Sequence, residues 1–350
     1  MIFHEGESMK KVLSLVLALT LSLLSIPVQA QPAVSQAGSG TAAGMDELLN
    51  MLPSSDLVAV VDIGRAFNDL LPRLSEVSVG GIDQMAKDIK EFTAKTGIDP
   101  SRINKAVIGF KMNGLQGSGA IIIDGLDVDG KMIESGMKSY KAEFKTMEYK
   151  GKQIYTLISR VNSPTAGPLS VKTDEMAIAS LGEQKTVLGD INAVKEVLDI
   201  QSGSAKTSIA PTMISALKET RENALLRFAL NIPDDLRKEA TSQGDLFKSV
   251  STIKYILGTF DVATDFSLAL DAVMRTTSQN DAVELETGLK GLVGLIKGFF
   301  GGGDPKTDIF GQLIDQIKIG SKLSDVSVSI ALPRSFMDQI SKKPEPAKKQ

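Results

Sequence analysis

Three times in this chain an apolar run passes straight into a helical one through glycine or proline: LVAVVDIGRAF, LLRFALNIPDDL and VSVSIALPRSF. Both residues are natural at helix starts, proline because its fixed φ and missing N–H suit the first turn. Each segment therefore commits its neighbourhood to a strand joined directly to a helix. The elements around them recur in order. In the first copy the strand DLVAVVDI leads to helices that end at EFTAKTG, where Gly97 stops the last turn and Pro100 follows. The strands KAVIGFKM and GAIIID come next, joined by NGLQGS, and then a helix over 129–144. The hairpin FKTMEYKGKQIYTLI turns at Lys150-Gly151, LSVKTDEMAIASL turns at Thr173-Asp174, and a helix over 183–198 closes the unit.

After the polar linker QSGSAKTS and the helix PTMISALKET, a second copy begins. It has the strand ALLRFALNI, a helix opened by Pro233-Asp234, and the strands TIKYILGTF and FSLALDAVM. In the latter, Phe266, Leu268, Leu270, Ala272 and Met274 alternate with smaller or polar residues, as in a half-buried strand. A long helix from Asp281 to Phe300, a helix DIFGQLIDQ, the strands IKIGS and DVSVSIAL and a helix begun by Pro333 complete it. The reading is α+β: two tandem copies, 45–203 and 204–340, of a strand-helix-strand pair-helix-strand pair-helix unit, with helices packed on antiparallel sheets.

Composition narrows the chemistry. The chain has 350 residues, no cysteine, no tryptophan and a single histidine, His4. Thiol chemistry, zinc held by cysteine and imidazole base catalysis lack their usual residues. A formal charge of −3 shows no basic excess for nucleic acid. At the amino end, Lys10 and Lys11 precede the uncharged VLSLVLALTLSLLSI, and VQA presents Val28 and Ala30 to a signal peptidase. The expectation is a signal peptide over 1–30 with its start at Met9, a flexible spacer over 31–44, a basic disordered tail over 341–350, and a periplasmic or secreted protein with no transmembrane segment after cleavage. Without cysteine, such a protein is held by its core alone.

GAIIIDGLDVDGKMIES has the aspartates and glycines of a calcium loop. Placing Gly130 at the sixth loop position puts Gly125 at the first and Gly136 at the twelfth, so two required carboxylates are missing. Asp127 or Asp129 is better read as a helix cap. SGMK at Ser135–Lys138 and KTG at Lys95–Gly97 stand in the wrong order for a penicillin-recognising serine enzyme. No catalytic, cofactor or metal residue is assigned, and no cofactor is expected. The most unusual segment is DAVELETGLKGLVGLIKGFFGGG. Asp281 and Glu284 resemble a capping box, and apolar residues recur at helical spacing. Gly288, Gly291, Gly294 and Gly298 each cost roughly 1 kcal/mol relative to alanine, which points to close approach by a sheet, another helix or an acyl chain. If the stripe packs on the protein's own sheet, Leu292→Asp unfolds the second unit. If it faces a ligand or partner, Leu289, Leu292, Val293, Ile296 and Phe299 form the contact, with Lys290 and Lys297 at its edge.

The segments LPSSDLVAVVDI, YKGKQIYTL and MAIASLGE give the chain a loose resemblance to bacterial exported proteins with tandem α+β units. The resemblance implies export and duplication and carries no particular activity. Three functions follow as expectations: a non-catalytic binding or scaffold protein of the cell envelope, a periplasmic carrier of a lipid or other apolar ligand, and a carboxylate-dependent hydrolase. The expected partner is an envelope protein or an apolar ligand.

Overall fold

The computed structural model describes residues 42–76, 82–113, 116–139, 142–158, 170–171, 175–207, 209–242, 249–300 and 309–336. The signal and tail segments expected over 1–30 and 341–350 and residues 31–41 of the spacer expected over 31–44 lie outside the described residues, as does the turn at Thr173-Asp174; the last three spacer residues, 42–44, instead belong to the first helix.

The fold is α+β, built on one antiparallel sheet that runs through both halves of the sequence. Helix α1 (Ala42–Asn50) precedes β1 (Leu57–Val61), which passes through Asp62 into α2 (Ile63–Arg65), a π-helical turn (Ala66–Leu70) and α3 (Leu71–Glu76). Helix α4 (Ile82–Thr96) ends at Gly97, whose φ of +73° is the left-handed cap that glycine adopts without strain. The hairpin β2 (Lys105–Asn113) and β3 (Gln116–Asp124), helix α5 (Gly130–Ser139) and strands β4 (Glu143–Tyr149), β5 (Lys152–Ile158), β6 (Ser170–Val171), β7 (Glu175–Gly182) and β8 (Lys185–Asp190) follow. Helix α6 (Ile191–Gln201) and α7 (Pro211–Glu219) lead to β9 (Leu226–Leu230), α8 (Asp234–Ser242), β10 (Ile253–Val262) and β11 (Leu268–Thr276). The remainder is α9 (Gln279–Phe300), α10 (Ile309–Asp315), β12 (Lys318–Lys322) and β13 (Asp325–Leu332).

The sheet order is β12-β13-β11-β10-β9-β1-β2-β3-β8-β7-β5-β4, with β6 beside β3. β1 and β9 meet at the centre, Leu57 opposite Leu230 and Val61 opposite Leu226. Two expectations are corrected. The helix read over 129–144 stops at Ser139, and Phe144 sits in β4, because the alternation that makes the β4–β5 hairpin already begins at Glu143. Lys150 and Gly151, φ +52° and +71°, form its turn as expected. The helix read over 183–198 starts only at Ile191. Before it, Glu183 and Gln184 take left-handed φ of +51° and +58°, and the chain reverses into β8. Asp190 then caps α6, accepting from the backbone N–H of Asn192 and Ala193 at 3.1 and 3.0 Å.

The two faces of the sheet are unequally covered. On one, Val58, Val107, Ile122, Val187 and Ala229 are fully buried in a core sealed by α1, α6 and α7. Each of these valine and isoleucine side chains contributes roughly 1.5–3 kcal/mol of burial free energy. On the other face of the same strands, Phe228, Ile108, Ile121 and Leu188 are only half-buried. The register places them in one lateral row: Ala272, Gly258 and Phe228 are successive cross-strand neighbours, then Ala59, Ile108, Ile121 and Leu188.

Candidate functional site

The glycine-rich helix α9 starts two residues earlier than the spacing suggested. Ser278 and Asp281, not Asp281 and Glu284, form its cap: Ser278 Oγ accepts from the Asp281 backbone N–H at 3.2 Å and donates to Asp281 Oδ2 at 2.7 Å. The hydroxyls of Thr277 and Ser278 hold the Asp281 carboxyl below the usual aspartate range.

Along its length α9 changes character. Its inner half is core: Ala282 and Leu285 are buried with Ile253 and Val326, and Leu289 packs half-buried against them. Glu286 pairs with Lys290 at 2.6 Å and accepts the Ser321 hydroxyl from β12. The outer half leaves the sheet. Leu292 and Val293 are half-buried, while Leu295 and Ile296 are 54% and 38% exposed. The Phe299 side chain lies outside the described residues. Lys297 pairs with Asp315, which ties this half to α10.

The four glycines of α9 do not serve close approach within the chain. A Cβ added at Gly288, Gly291, Gly294 or Gly298 would meet nothing within 4 Å. The helix therefore carries a smooth backbone strip with Leu295 at its edge, on which none of the described residues packs, while Ile296 lies on the other side, in line with Leu285, Leu289 and Leu292. Periodicity marked the apolar stripe but could not say how far along the helix the sheet extends.

Other sequence-marked positions are structural. Asp129 Oδ1 accepts the Met132 N–H at 2.7 Å and caps α5, while Asp127 Oδ1 accepts the Ser180 hydroxyl at 3.3 Å. Asp124 accepts from Asn104 Nδ2 at 3.2 Å. Among the described residues no group of three or more histidine, cysteine, aspartate or glutamate side chains is placed to share an ion. A cleft of about 160 Å³ beside α10, lined by Gln312, Asp315, Ser335 and Phe336 among others, is below the ~300–1,000 Å³ of small-molecule sites. No described helix is long and apolar enough to cross a membrane.

The fold and its surfaces define an α+β protein on one long antiparallel sheet, with helices on both faces. Among solved structures the chain is similar to TP0453, a bacterial protein, in three crystal forms. Form III matches at a TM-score of 0.43 over 84% of this chain and 97% of that one, and form IV at 0.44 over 86% and 100%, both at 7% identity. No family model matches the sequence, and no curated protein does.

Proposed function

We propose that this chain is a non-catalytic binding protein of the bacterial cell envelope, exported by its amino-terminal signal, with the outer half of α9 as a contact surface. One observation carries this reading: past the core half of α9, Leu295 stands 54% exposed at the edge of a glycine strip that meets none of the described residues, and Ile296, 38% exposed, prolongs the apolar stripe of Leu285, Leu289 and Leu292. Exposed aliphatic side chains grouped on one element are where apolar partners gain burial energy. The half-open sheet face favours a second reading, a carrier of an apolar ligand.

We also infer that the chain arose by tandem duplication. Outward from the centre the order β1-β2-β3-β8-β7 parallels β9-β10-β11-β13-β12, and α1 and α7 stand in corresponding places before β1 and β9. The hairpin β4–β5 is the addition of the first half.

The test compares wild type with the double variant Leu295→Asp, Ile296→Asp, each isolated from the envelope of the native host and examined by native mass spectrometry. Wild type retains a bound species that the variant lacks, and the two unfold at the same temperature. A wild type without any bound species, or one retained equally by the variant, overturns the reading.

A further inference from the structure

We infer that the half-open sheet face is a binding trench for a single extended acyl chain, with Ile108, Ile121, Leu188 and Phe228 as its floor. The inference rests on reading the chain as a binder and places a ligand of stated chemistry at a site separate from the outer half of α9.

The contrast between faces comes first. Val107, Ile122, Val187 and Ala229 are sealed, while their immediate chain neighbours Ile108, Ile121, Leu188 and Phe228, pointing the other way, are only half-buried. Close-packed interiors do not ordinarily leave four large apolar side chains of one lateral row half covered; between Phe228 and Ile108 the row passes through the small, buried Ala59 of β1. Among the described residues, helical segments pack on either side of the row. The adjacent row through Val61, Ala106 and Leu226 is buried with Ile63 and Leu70 of the α2 region, and the row through Ile256 and Met274 packs with Ala282 and Leu285 of α9. The floor side chains Ile108, Ile121, Leu188 and Phe228 rest against the first of these groups with one side and keep the other half uncovered.

The ends of the row are closed as well. Beyond Leu188 the register continues to Ile178, packed in the cluster of Val128 and Ile133 from α5 and its approach. At the other end it continues through Val328 to Ile319, which packs with the α9 cluster. Between Ala272 on β11 and Leu188 on β8 lie six inter-strand steps of ~4.8 Å, about 29 Å. A bilayer's hydrocarbon core, two acyl chains end to end, is ~30 Å thick. One chain laid along the row has about twice the length it needs.

Chemistry selects hydrocarbon over extended peptide. Every central strand here is paired on both sides, so the floor offers no backbone donor or acceptor. An extended peptide laid across it would bury its own N–H and C=O groups unpaired, at ~1–3 kcal/mol each, whereas a methylene chain buries nothing polar. From Ala272 to Ile178 the row holds no charged or hydrogen-bonding side chain.

The experiment titrates the full mature chain with dansyl-labelled undecanoic acid and competes it with palmitic acid. Wild type gives a saturable rise in emission that palmitate reverses. Ile108→Trp and Ile121→Trp, which fill the trench, weaken binding at least tenfold, and Leu323→Asp, at an exposed position in the turn between β12 and β13, leaves it unchanged. A diazirine-bearing palmitic acid photolysed on unmodified protein keeps the test independent of variant folding, and its adducts map to β2, β3, β8 or β9. No saturable binding, or adducts confined to α9, overturns the trench, and the latter leaves the contact surface on α9 standing. A dimer that dissociates in Ile121→Trp would seat a second copy on this face and also overturn it.

Discussion

Arg227 on β9 is 4% exposed, and its only described hydrogen bond is from Nη2 to the thioether of Met45 at 2.5 Å. Burial pushes its pKa down, with the charges of Glu222 and Asp62 opposing. Neither carboxylate is close enough to pair with it, so the charge is largely uncompensated among the described residues. Replacing a buried charge by an apolar side chain of similar length is often neutral or stabilising. Arg227→Met should raise the stability from urea unfolding by about 1 kcal/mol or more, and a lower midpoint would show that the guanidinium contributes more than its burial costs. Glu286 is the opposite case. Lys290, and then the Ser321 hydroxyl, hold its carboxyl below the usual glutamate range. Its folded pKa lies below its unfolded one, so its contribution is complete above the ordinary glutamate range and lost as pH falls through the folded value. Amide-exchange protection in the inner half of α9 should fall across that acid window, and Glu286→Gln should flatten the dependence.

At the scale of elements, α9 is a helix whose sequence weakens it where nothing packs. Each glycine costs roughly 1 kcal/mol relative to alanine, and at Gly291 and Gly294 an added methyl meets nothing. The double variant Gly291→Ala, Gly294→Ala should therefore raise stability by about 2 kcal/mol if the outer half unfolds with the rest. An unchanged thermal midpoint would mean that this half frays before the sheet melts. The alternation of β11 was plain in the sequence, with apolar Leu268, Leu270, Ala272 and Met274 on one side of the strand, and Gly97 and Lys150-Gly151 announced their turns. β8 was not plain. Its hairpin turns on Glu183 and Gln184, a left-handed pair without the Asn-Gly signature, and KTVLGD is too short for periodicity to separate from the helix that follows. The candidate stripe on α9 was legible as a stripe, but which half is core depends on where β12 and β13 lie beneath it. The apolar floor was invisible for a stronger reason. Phe228, Ile108, Ile121 and Leu188 are scattered through the sequence and become a row only through register.

For the whole molecule, the decisive contact is the pairing of β1 with β9 at the middle of the sheet. It gives each half its central neighbour, so neither half is expected to stand alone. Residues 45–203 produced without 204–340 would leave β1 as a free edge beside fully buried Val58, a combination prone to unwanted pairing. We expect that fragment to aggregate and to be recovered in soluble form when 204–340 is made with it. A soluble, cooperatively unfolding 45–203 alone would show that the halves are independent. The same seam sets an order of events in time. A ribosome finishes Leu57–Val61 long before Leu226–Leu230 exist, and every residue between them must emerge first. Until then the growing chain offers an unsatisfied strand to any neighbour, and the wait lengthens with each pause in translation. Closing so distant a pair is intrinsically slow, so the nascent protein has good use for a chaperone that shields β1 until its partner arrives.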